Sequence, residues 1–223
     1  MCYIDFMGID EEKGLERPRL TTKGLVTRQK IIQAAADLIC DRGIAGVCIE
    51  DIQKAANVGA SQVYHYFSSK QELVHAAIDL QTQAILEGQQ PFLINLTSFE
   101  ALQAWGRILV AMQKNGQNPL GLILTSMASE LSGPDTQARF LISEGFSRWE
   151  NHLTEGLTKM RDHGILNKKT DPQKLALAMM SAIQGGLLLS QAHGDTEPLE
   201  VAFATMLRYI QSFQAVSISS RHG

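Results

Sequence analysis

Apolar residues in this chain recur mainly at the helical spacing of three and four positions. One such apolar face begins soon after Lys23 and consists of Ile31, Ala34, Ala35, Leu38 and Ile39. The helix that they predict ends at Asp41-Arg42-Gly43, because glycine readily adopts the positive φ that follows many last helical turns. No segment alternates polar and apolar residues convincingly at a period of two, so the sequence predicts no sheet.

The same spacing predicts eight further helices. Two short ones, over 49–56 and 60–66, are separated by the turn Asn57-Val58-Gly59. A longer helix over 70–87 has Ser69 as its N-cap and Glu72 three positions later, which is a capping-box pattern. Segments rich in glycine and proline separate the remaining helices, predicted over 98–114, 120–132, 136–163, 172–192 and 198–214. The fold class predicted is therefore all-α, with about nine helices.

Composition places this chain among globular proteins with a substantial core. It has 223 residues, of which 44% are hydrophobic and 19% charged, which fits one domain or two small ones and excludes a disordered chain. No apolar run is expected to reach the about 20 residues that span a bilayer, and the start of the chain lacks the features of a secretory signal. The cysteines Cys2, Cys40 and Cys48 suggest neither a disulfide nor a zinc site, which favours the reducing cytoplasm.

Net charge gives little sign of a nucleic-acid partner, since the formal value is −3. The charge is unevenly distributed along the chain. Residues 21–75 carry six Lys or Arg and five Asp or Glu, whereas residues 1–20 and 76–223 are both net acidic. Only the middle segment is positive, and by a single charge, so charge alone makes a weak case for DNA binding.

The order of elements in this middle segment is nevertheless typical of a DNA-binding domain, which we call the reader. A longer helix followed by two short helices across a turn is a helix-turn-helix arrangement, whose last helix enters the major groove. There, Gln62 can pair with adenine and Ser61 can contact several bases. Tyr64 and His65 can donate to phosphate oxygens. Lys70 adds a positive charge at the start of the next helix, whose N-terminus also favours an anion.

Three stretches resemble the DNA-binding domain of the tetracycline-repressor (TetR) family. They are residues 27–35 with Arg42-Gly43, residues 49–58, and residues 63–73, which contain Tyr-His-Tyr-Phe-x-x-Lys. The resemblance implies a homodimer with an N-terminal three-helix reader and a larger C-terminal domain for ligand binding and dimerisation. Residues 1–22 are expected to form a flexible tail, 23–69 the reader, and 70–223 the second domain. The expected DNA-contacting residues are Thr27, Cys48, Gly59, Ala60, Ser61, Gln62, Tyr64, His65, Tyr66 and Lys70.

Three positions depart from the family's usual pattern. The turn reads Asn57-Val58-Gly59, where members of the family usually have Gly-Val-Ser. Cys48 replaces the small polar residue that normally caps the first short helix, and cysteine is a poor cap. Ala60 stands where Lys or Arg is common, which removes one expected charge. These departures leave the predicted fold intact and bear on base specificity.

The C-terminal half resembles the branch of lincomycin- and flavonoid-responsive repressors. Residues 119–121, 127–131, 146–149 and 182–186 carry this resemblance, although Asn118 replaces a usual cysteine. Low charge between Lys114 and Arg139 favours an uncharged or weakly polar aromatic effector. The candidate ligand-binding residues are Trp105, Leu109, Met112, Met127, Phe146, Trp149, His152 and Gln184. Most apolar residues of this kind in a helical bundle are simply core, and the two polar ones fit a surface or interface as well.

The last two predicted helices carry apolar stripes that are wider than one small bundle needs. This favours a four-helix seam between two copies of the chain. Gly185-Gly186 lowers helix stability by about 1 kcal/mol per residue relative to alanine, which close helix approach at that seam, or a kink beside a pocket, would explain. The stripe residues are Leu175, Ala178, Met179, Ala182, Ile183, Leu199, Ala202, Phe203, Met206, Ile210 and Phe213.

The sequence does not predict an enzyme. Its six histidines show no metal-ligand spacing, and it has neither a nucleophile elbow nor a phosphate-binding glycine loop. No catalytic residue, metal site or cofactor is therefore expected, and no membrane partner. We interpret the chain as a cytoplasmic, ligand-responsive transcriptional regulator, a repressor that binds palindromic operator DNA as a homodimer. The alternative is a helical ligand-binding or scaffold protein whose helix-turn-helix no longer reads DNA.

Overall fold

The structure is a computed structural model that describes residues 20–115 and 136–215. In these ranges a 3-10 helix, Phe92–Asn95, joins the fourth and fifth of eight α-helices, and there is no strand. The all-α fold class is thus confirmed, while the predicted helix over 120–132 lies outside the described residues. The α-helices are α1 (Thr22–Arg42), α2 (Ile49–Ala56), α3 (Ala60–Tyr66), α4 (Lys70–Gly88), α5 (Phe99–Lys114), α6 (Thr136–Asp162), α7 (Pro172–His193) and α8 (Glu197–Gln211).

Side-chain caps fix where several of these helices begin. Ser69 Oγ accepts the backbone N–H of Glu72 at 3.1 Å, as the capping-box pattern predicts. Asp171 caps α7 in the same way, with its Oδ1 atom 3.2 Å from the backbone nitrogen of Lys174. Each bond satisfies a donor that the first helical turn leaves without a partner. Local sequence therefore determines these boundaries to within a residue.

Helix α8 ends three residues earlier than predicted because the chain turns back to pair with the segment after α6. The backbone N–H of Asn167 donates to the carbonyl of Phe213 at 2.8 Å, and that of Ala215 donates to the carbonyl of Ile165 at 2.9 Å. The backbone N–H groups of Phe213 and Gln214 donate three positions back, to Ile210 and Gln211, so the α-helical pattern ends here. The ends of α6 and α8 are thereby held together.

The apolar stripes assigned to a dimer seam lie largely inside one chain, so that part of the prediction is wrong. Six of the stripe residues are buried within the chain, where α7 packs against α6 and α8: Leu175, Met179, Ile183, Leu199, Phe203 and Ile210. A helix with apolar residues on two faces buries one of them locally, and the stripe pattern alone does not show which. The outward faces instead expose the large residues Leu177, Leu188, Leu189, Val201 and Tyr209.

Gly185 and Gly186 have different surroundings. A Cβ atom on Gly186 would lie 2.8 Å from Leu199 Cα, so glycine is needed there for the close approach of α7 and α8. A Cβ atom on Gly185 would meet open space. Close packing within the chain thus explains one of the two glycines, and the other belongs to the outward face of α7.

Helix α7 is also long and apolar enough to cross a membrane, judged by length and composition alone. The expectation that no segment reaches this length is therefore corrected. The core helix of a water-soluble bundle passes the same test, and α7 has such a buried face, since Met179, Ile183 and Leu187 are fully inaccessible. The apolar character of α7 reflects burial on one side and exposed leucines on the other.

Candidate nucleic-acid interface

The turn between α2 and α3 sets the angle of the reading helix. Asn57 has φ 51° and ψ 54°, the left-handed conformation that asparagine tolerates better than most residues. The backbone N–H groups of Asn57 and Val58 donate to the carbonyls of Lys54 and Gln53 at 3.2 and 3.0 Å. Asn57 thus ends α2 as a glycine would, and the departure from Gly-Val-Ser preserves the turn.

Helix α3 has a buried anchor and an exposed polar face. Val63, with Phe67 just after the helix, is almost completely buried against the core of α1 and α2. This anchor turns the opposite side of α3 outward, where Tyr64 is 53% exposed. The structure places six of the predicted DNA-contacting residues on this open side and at the helix start: Gly59, Ala60, Ser61, Gln62, Tyr64 and His65.

Gln62 has a second task that the sequence analysis missed. Its Oε1 atom accepts the backbone N–H of Gly59 at 3.1 Å and so caps the first turn of α3. Pairing with adenine uses the same oxygen as an acceptor. Base reading by Gln62 therefore requires this cap to be exchanged or shared.

Lys70 is likewise engaged in the free protein. Its Nζ atom donates to the carbonyl of Ile44 at 3.0 Å, which links the start of α4 to the loop between α1 and α2. The ammonium group has further donors, so this bond leaves capacity for a phosphate. The residues are 26 positions apart in the chain, and no local pattern predicts the contact.

Thr27 and Tyr66 lie at the junction of α1 and α3, and both are half-buried. Thr27 Oγ1 donates to the carbonyl of Lys23 at 3.0 Å. The Tyr66 hydroxyl would lie 3.5 Å from a Cβ atom on Gly24, and the Tyr66 ring packs edge-on against His65. Of these contacts, the close approach of the Tyr66 hydroxyl to Gly24 joins α3 to the start of α1.

Arg28 is a residue of this region that the sequence analysis missed as a candidate. Its guanidinium carbon lies 5.1 Å from the ring centroid of Phe67, a cation–π distance. The contact places a permanent positive charge beside the C-terminal end of α3. Its position directly after Thr27, in a matched stretch, was the available signal.

Cys48 confirms the expectation of a poor cap, because its side chain makes no capping hydrogen bond to the backbone of α2. The thiol instead donates to Asp51 Oδ2 at 3.1 Å, and Arg42 Nη1 lies 3.6 Å from the same oxygen. The hydrogen bond to Asp51 raises the pKa of the Cys48 thiol. It also lowers the pKa of the Asp51 carboxyl. Cys48 therefore acts as a neutral donor at neutral pH.

The predicted effector residues lie in the interior of the C-terminal helices. Trp105, Leu109 and Trp149 are fully buried, whereas Met112, Phe146, His152 and Gln184 are partly buried, and Met127 lies outside the described residues. The Trp105 indole N–H donates to Gln89 Oε1 at 2.9 Å, and Gln89 Nε2 donates to the carbonyl of Ile85 at 2.9 Å. Trp105 is thereby fixed against the end of α4 and forms part of the core.

Trp149 differs from Trp105 in one respect. Its indole N–H is buried and has no hydrogen-bond partner among residues 20–115 and 136–215. Buried donors without partners are uncommon in native proteins. No cluster of His, Cys, Asp and Glu residues that could hold a metal ion occurs in these same ranges.

Models of known protein families match both halves of the chain. Residues 31–77 match the model of bacterial regulatory proteins of the tetR family, and residues 98–205 match that of the LmrA/YxaF-like transcriptional regulator C-terminal domain. A helix-turn-helix-type transcriptional regulator from the lacX 3' region of Lactococcus lactis subsp. lactis is 29% identical over 185 residues. The match covers 79% of this chain and 89% of that relative.

Two more distant proteins agree with this placement. The transcriptional repressor DhaR of a Mycobacterium species is 23% identical over 181 residues, covering 78% of this chain and 86% of the repressor. The crystal structure of a TetR transcriptional regulator from Chloroflexus aurantiacus has a TM-score of 0.75 at 23% identity, covering 88% and 100% of the two chains. These relatives are regulators and not enzymes, and nothing in the comparisons favours a scaffold that has lost DNA binding. This chain belongs to the TetR family of transcriptional regulators, which bind operator DNA, dimerise and respond to small-molecule effectors.

Proposed function

We propose that this chain is a cytoplasmic repressor that binds palindromic operator DNA as a homodimer and is released by a small, planar, mostly apolar effector. Residues 23–69 form the reader, and residues 70–223 bind the effector and the second copy. The observation that carries the proposal is the exposed polar face of α3, held outward by the buried Val63 and Phe67. This surface fits the major groove, which admits one helix.

The roles of the reader residues follow from their positions. Ser61 and Gln62 lie in the first turn of α3, the part of a recognition helix that reaches base edges. Tyr64 and His65 follow on its exposed side and donate to phosphates. Lys70 reaches a phosphate from the start of α4. Thr27, Cys48, Gly59, Ala60 and Tyr66 complete the proposed contact surface.

The second copy docks on the outward faces of α7 and α8. Leu177, Leu188 and Val201 are 51–58% exposed and give these two adjacent helices an apolar surface. Exposed large apolar residues on neighbouring helices are typical of a subunit interface. We expect Leu177→Glu with Leu188→Glu to give a monomeric mass in sedimentation at micromolar concentration. Gln173→Glu, at an exposed position of the same helix, leaves the dimer intact; a dimer that survives the leucine changes would overturn this seam.

The effector lies in the interior of the C-terminal domain beside Trp149. Its indole N–H, which has no partner among the described residues, can donate to a carbonyl or ether oxygen of a ligand. The proposed contacts Phe146, three positions before it on α6, and Leu109, a buried residue of α5, are apolar. Such a site favours a planar aromatic compound with an acceptor group and no charge. The other proposed effector contacts are Trp105, Met112, Met127, His152 and Gln184.

Helix α4 transmits the effector signal. At its start, Lys70 bonds to the reader loop at Ile44. At its end, Gln89 accepts the Trp105 indole N–H, and a Cβ atom on Gly88 would lie 3.1 Å from Met112 Cε. Midway, Arg148 of α6 donates to Gln83 at 2.9 Å. A ligand that binds one position of α5 and α6 better than another therefore shifts α4 and changes the spacing of the two readers.

Binding of the full-length protein to the DNA just upstream of its own gene tests the proposal. Anisotropy titrations over a range of salt concentrations should give a weaker salt dependence for Lys70→Ala, because each phosphate contact contributes about −0.9 to the slope of log K against log salt. Gln62→Ala should lose about 1–3 kcal/mol of discrimination at one base pair. Gln103→Ala, an exposed glutamine of α5, is the matched control. A Lys70→Ala slope equal to that of the wild type, or a base preference unchanged by Gln62→Ala, would contradict the assigned contacts.

A further inference from the structure

A groove of about 830 Å³ runs along the outside of α1 and α4, away from the proposed effector residues. Lys30, Asp37 and Asp41 of α1 line one wall, and Leu80, Gln81 and Ala84 of α4 line the other. Its volume is within the range of small-molecule sites. The groove lies where the reader meets the second half of the helix that leads out of it.

The wall of α4 contains a buried acceptor. Gln81 is only 5% exposed, and its Oε1 atom has no hydrogen-bond partner among the residues that the structure describes. Leaving a buried amide oxygen unpaired is unfavourable. A donor supplied by a ligand in the groove would remove this cost.

The charges of the groove select the kind of donor. Two carboxylates, of Asp37 and Asp41, face one ammonium group, that of Lys30, so the lining is net negative. Gln33 Nε2 already donates to Asp37 Oδ1 at 2.8 Å, which holds that carboxylate in place. The α4 wall also contains the apolar residues Leu80 and Ala84.

We infer that this groove binds small organic cations in which an ammonium group is attached to a compact apolar body. The ammonium group donates to Gln81 Oε1 and neutralises Asp37, while the apolar body covers Leu80 and Ala84. Such a ligand touches both the reader and α4. Because none of the proposed effector residues lines the groove, this inference and the proposed function can fail independently.

Three cyclohexyl compounds of nearly equal size, which lack the planar ring proposed for the effector, test the inference by calorimetry on the full-length protein. They are cyclohexylmethylammonium, cyclohexylmethanol and the carboxylate cyclohexaneacetate, which are positive, neutral and negative. We expect the ammonium compound to bind at least about tenfold more tightly than the other two, as a charge-assisted hydrogen bond contributes about 1.5–3 kcal/mol. Equal affinities for the three compounds would overturn the inference.

Variants then locate the bound cation. Gln81→Leu should weaken binding of the ammonium compound by about tenfold. Thr82→Val removes the adjacent buried hydroxyl, which has no described partner and lies outside the groove, and should leave this affinity unchanged. Asp37→Asn should weaken it by about three- to fivefold, as expected of a solvent-exposed charge. Glu155→Gln removes the same charge at an exposed position of α6 and is its control. Affinity unchanged by either groove variant would overturn the inference, and Asp37→Asn, at an exposed position, keeps the test valid if Gln81→Leu does not fold.

Discussion

The reader and the C-terminal domain treat their polar side chains in opposite ways. In the reader and at the adjoining start of α4, Gln62 bonds to Gly59, Lys70 to Ile44, and Cys48 to Asp51, so these three polar groups near the proposed DNA-facing surface already have partners. Beyond the reader, Trp149, Thr82 and Gln81 bury polar atoms that have no partner in the described parts of the chain.

This difference matches the two kinds of partner that the regions serve. Operator DNA meets a solvated surface, where internal bonds keep the side chains ordered and are exchanged for new bonds on docking. The proposed effector site lies in a buried region, where an unpaired donor has no water to satisfy it and gains most from a ligand acceptor. Buried polar atoms without a described partner, such as that of Trp149, thus occur beyond the reader, beside bonded ones such as Trp105 and Gln89.

The largest expected effect is a difference in stability between variants at the two tryptophans of the C-terminal domain. Trp105→Phe removes the donor that Gln89 Oε1 accepts and leaves that buried oxygen unpaired, whereas Trp149→Phe removes a donor without a described partner. Both changes reduce side-chain volume equally. We expect Trp105→Phe to be more destabilising by about 1–3 kcal/mol in urea unfolding. Equal losses would show that Trp149 is paired after all, and the contrast between the regions would fail.

A smaller effect, of about 1 kcal/mol, is expected at the turn of the reader. Asn57→Ala places a residue with an ordinary Cβ in the left-handed conformation and should lower stability by that amount. Asn57→Gly should retain or slightly raise stability, because glycine adopts this φ without strain. Urea midpoints of the two variants provide the measurement. If alanine is tolerated as well as glycine, Asn57 does not hold the turn through its backbone conformation.

How much of the structure can be predicted from the sequence depends on how far apart the interacting residues lie along the chain. Ser69 and Glu72, or Asp171 and Lys174, lie three residues apart, so their capping bonds and the helix starts follow directly from the pattern. The bond between Lys70 and Ile44 spans 26 residues, and that between Trp105 and Gln89 spans 16. No periodicity encodes such contacts, which is why the bond of Lys70 emerges only from the structure. The Gln62 cap spans only three residues, and the capping pattern of Gly59 and Gln62 was overlooked in the sequence.

The wrong prediction of the dimer-seam residues has a different cause. Periodicity identified the apolar positions of α7 correctly, including Met179 and Ile183, but both faces of this helix are apolar. The face that packs inside the chain was therefore mistaken for the face that meets a second copy. Only the position of α8 against α7, fixed by the close approach of Gly186 to Leu199, shows that Leu177 and Leu188 face outward.

The smallest expected effect, a gain of about 0.5–1 kcal/mol, concerns the cap of α2. Cys48 has φ −112° and ψ 164°, the extended conformation of an N-cap, but its side chain makes no capping bond to the backbone. In Cys48→Ser, the hydroxyl oxygen accepts the N–H of Asp51, a donor of the first turn that α2 itself leaves unpaired. Thermal unfolding of this variant should therefore shift upward.

Cys40→Ser is the matched control for this change, since it makes the same replacement within α1 rather than at a cap. Partial burial, with the nearby Asp37 carboxylate, raises the pKa of Cys40 to about 11, so both cysteines are neutral thiols at pH 7 and neither variant changes the net charge. Serine and cysteine have similar helix propensities, and the control should therefore unfold close to the wild-type temperature. If the unfolding temperature of Cys48→Ser is also no higher than that of the wild type, the thiol bond to Asp51 stabilises α2 as well as a serine cap does. The bond between the Cys48 and Asp51 side chains would then hold the start of α2 in place of a backbone cap, without a loss of stability.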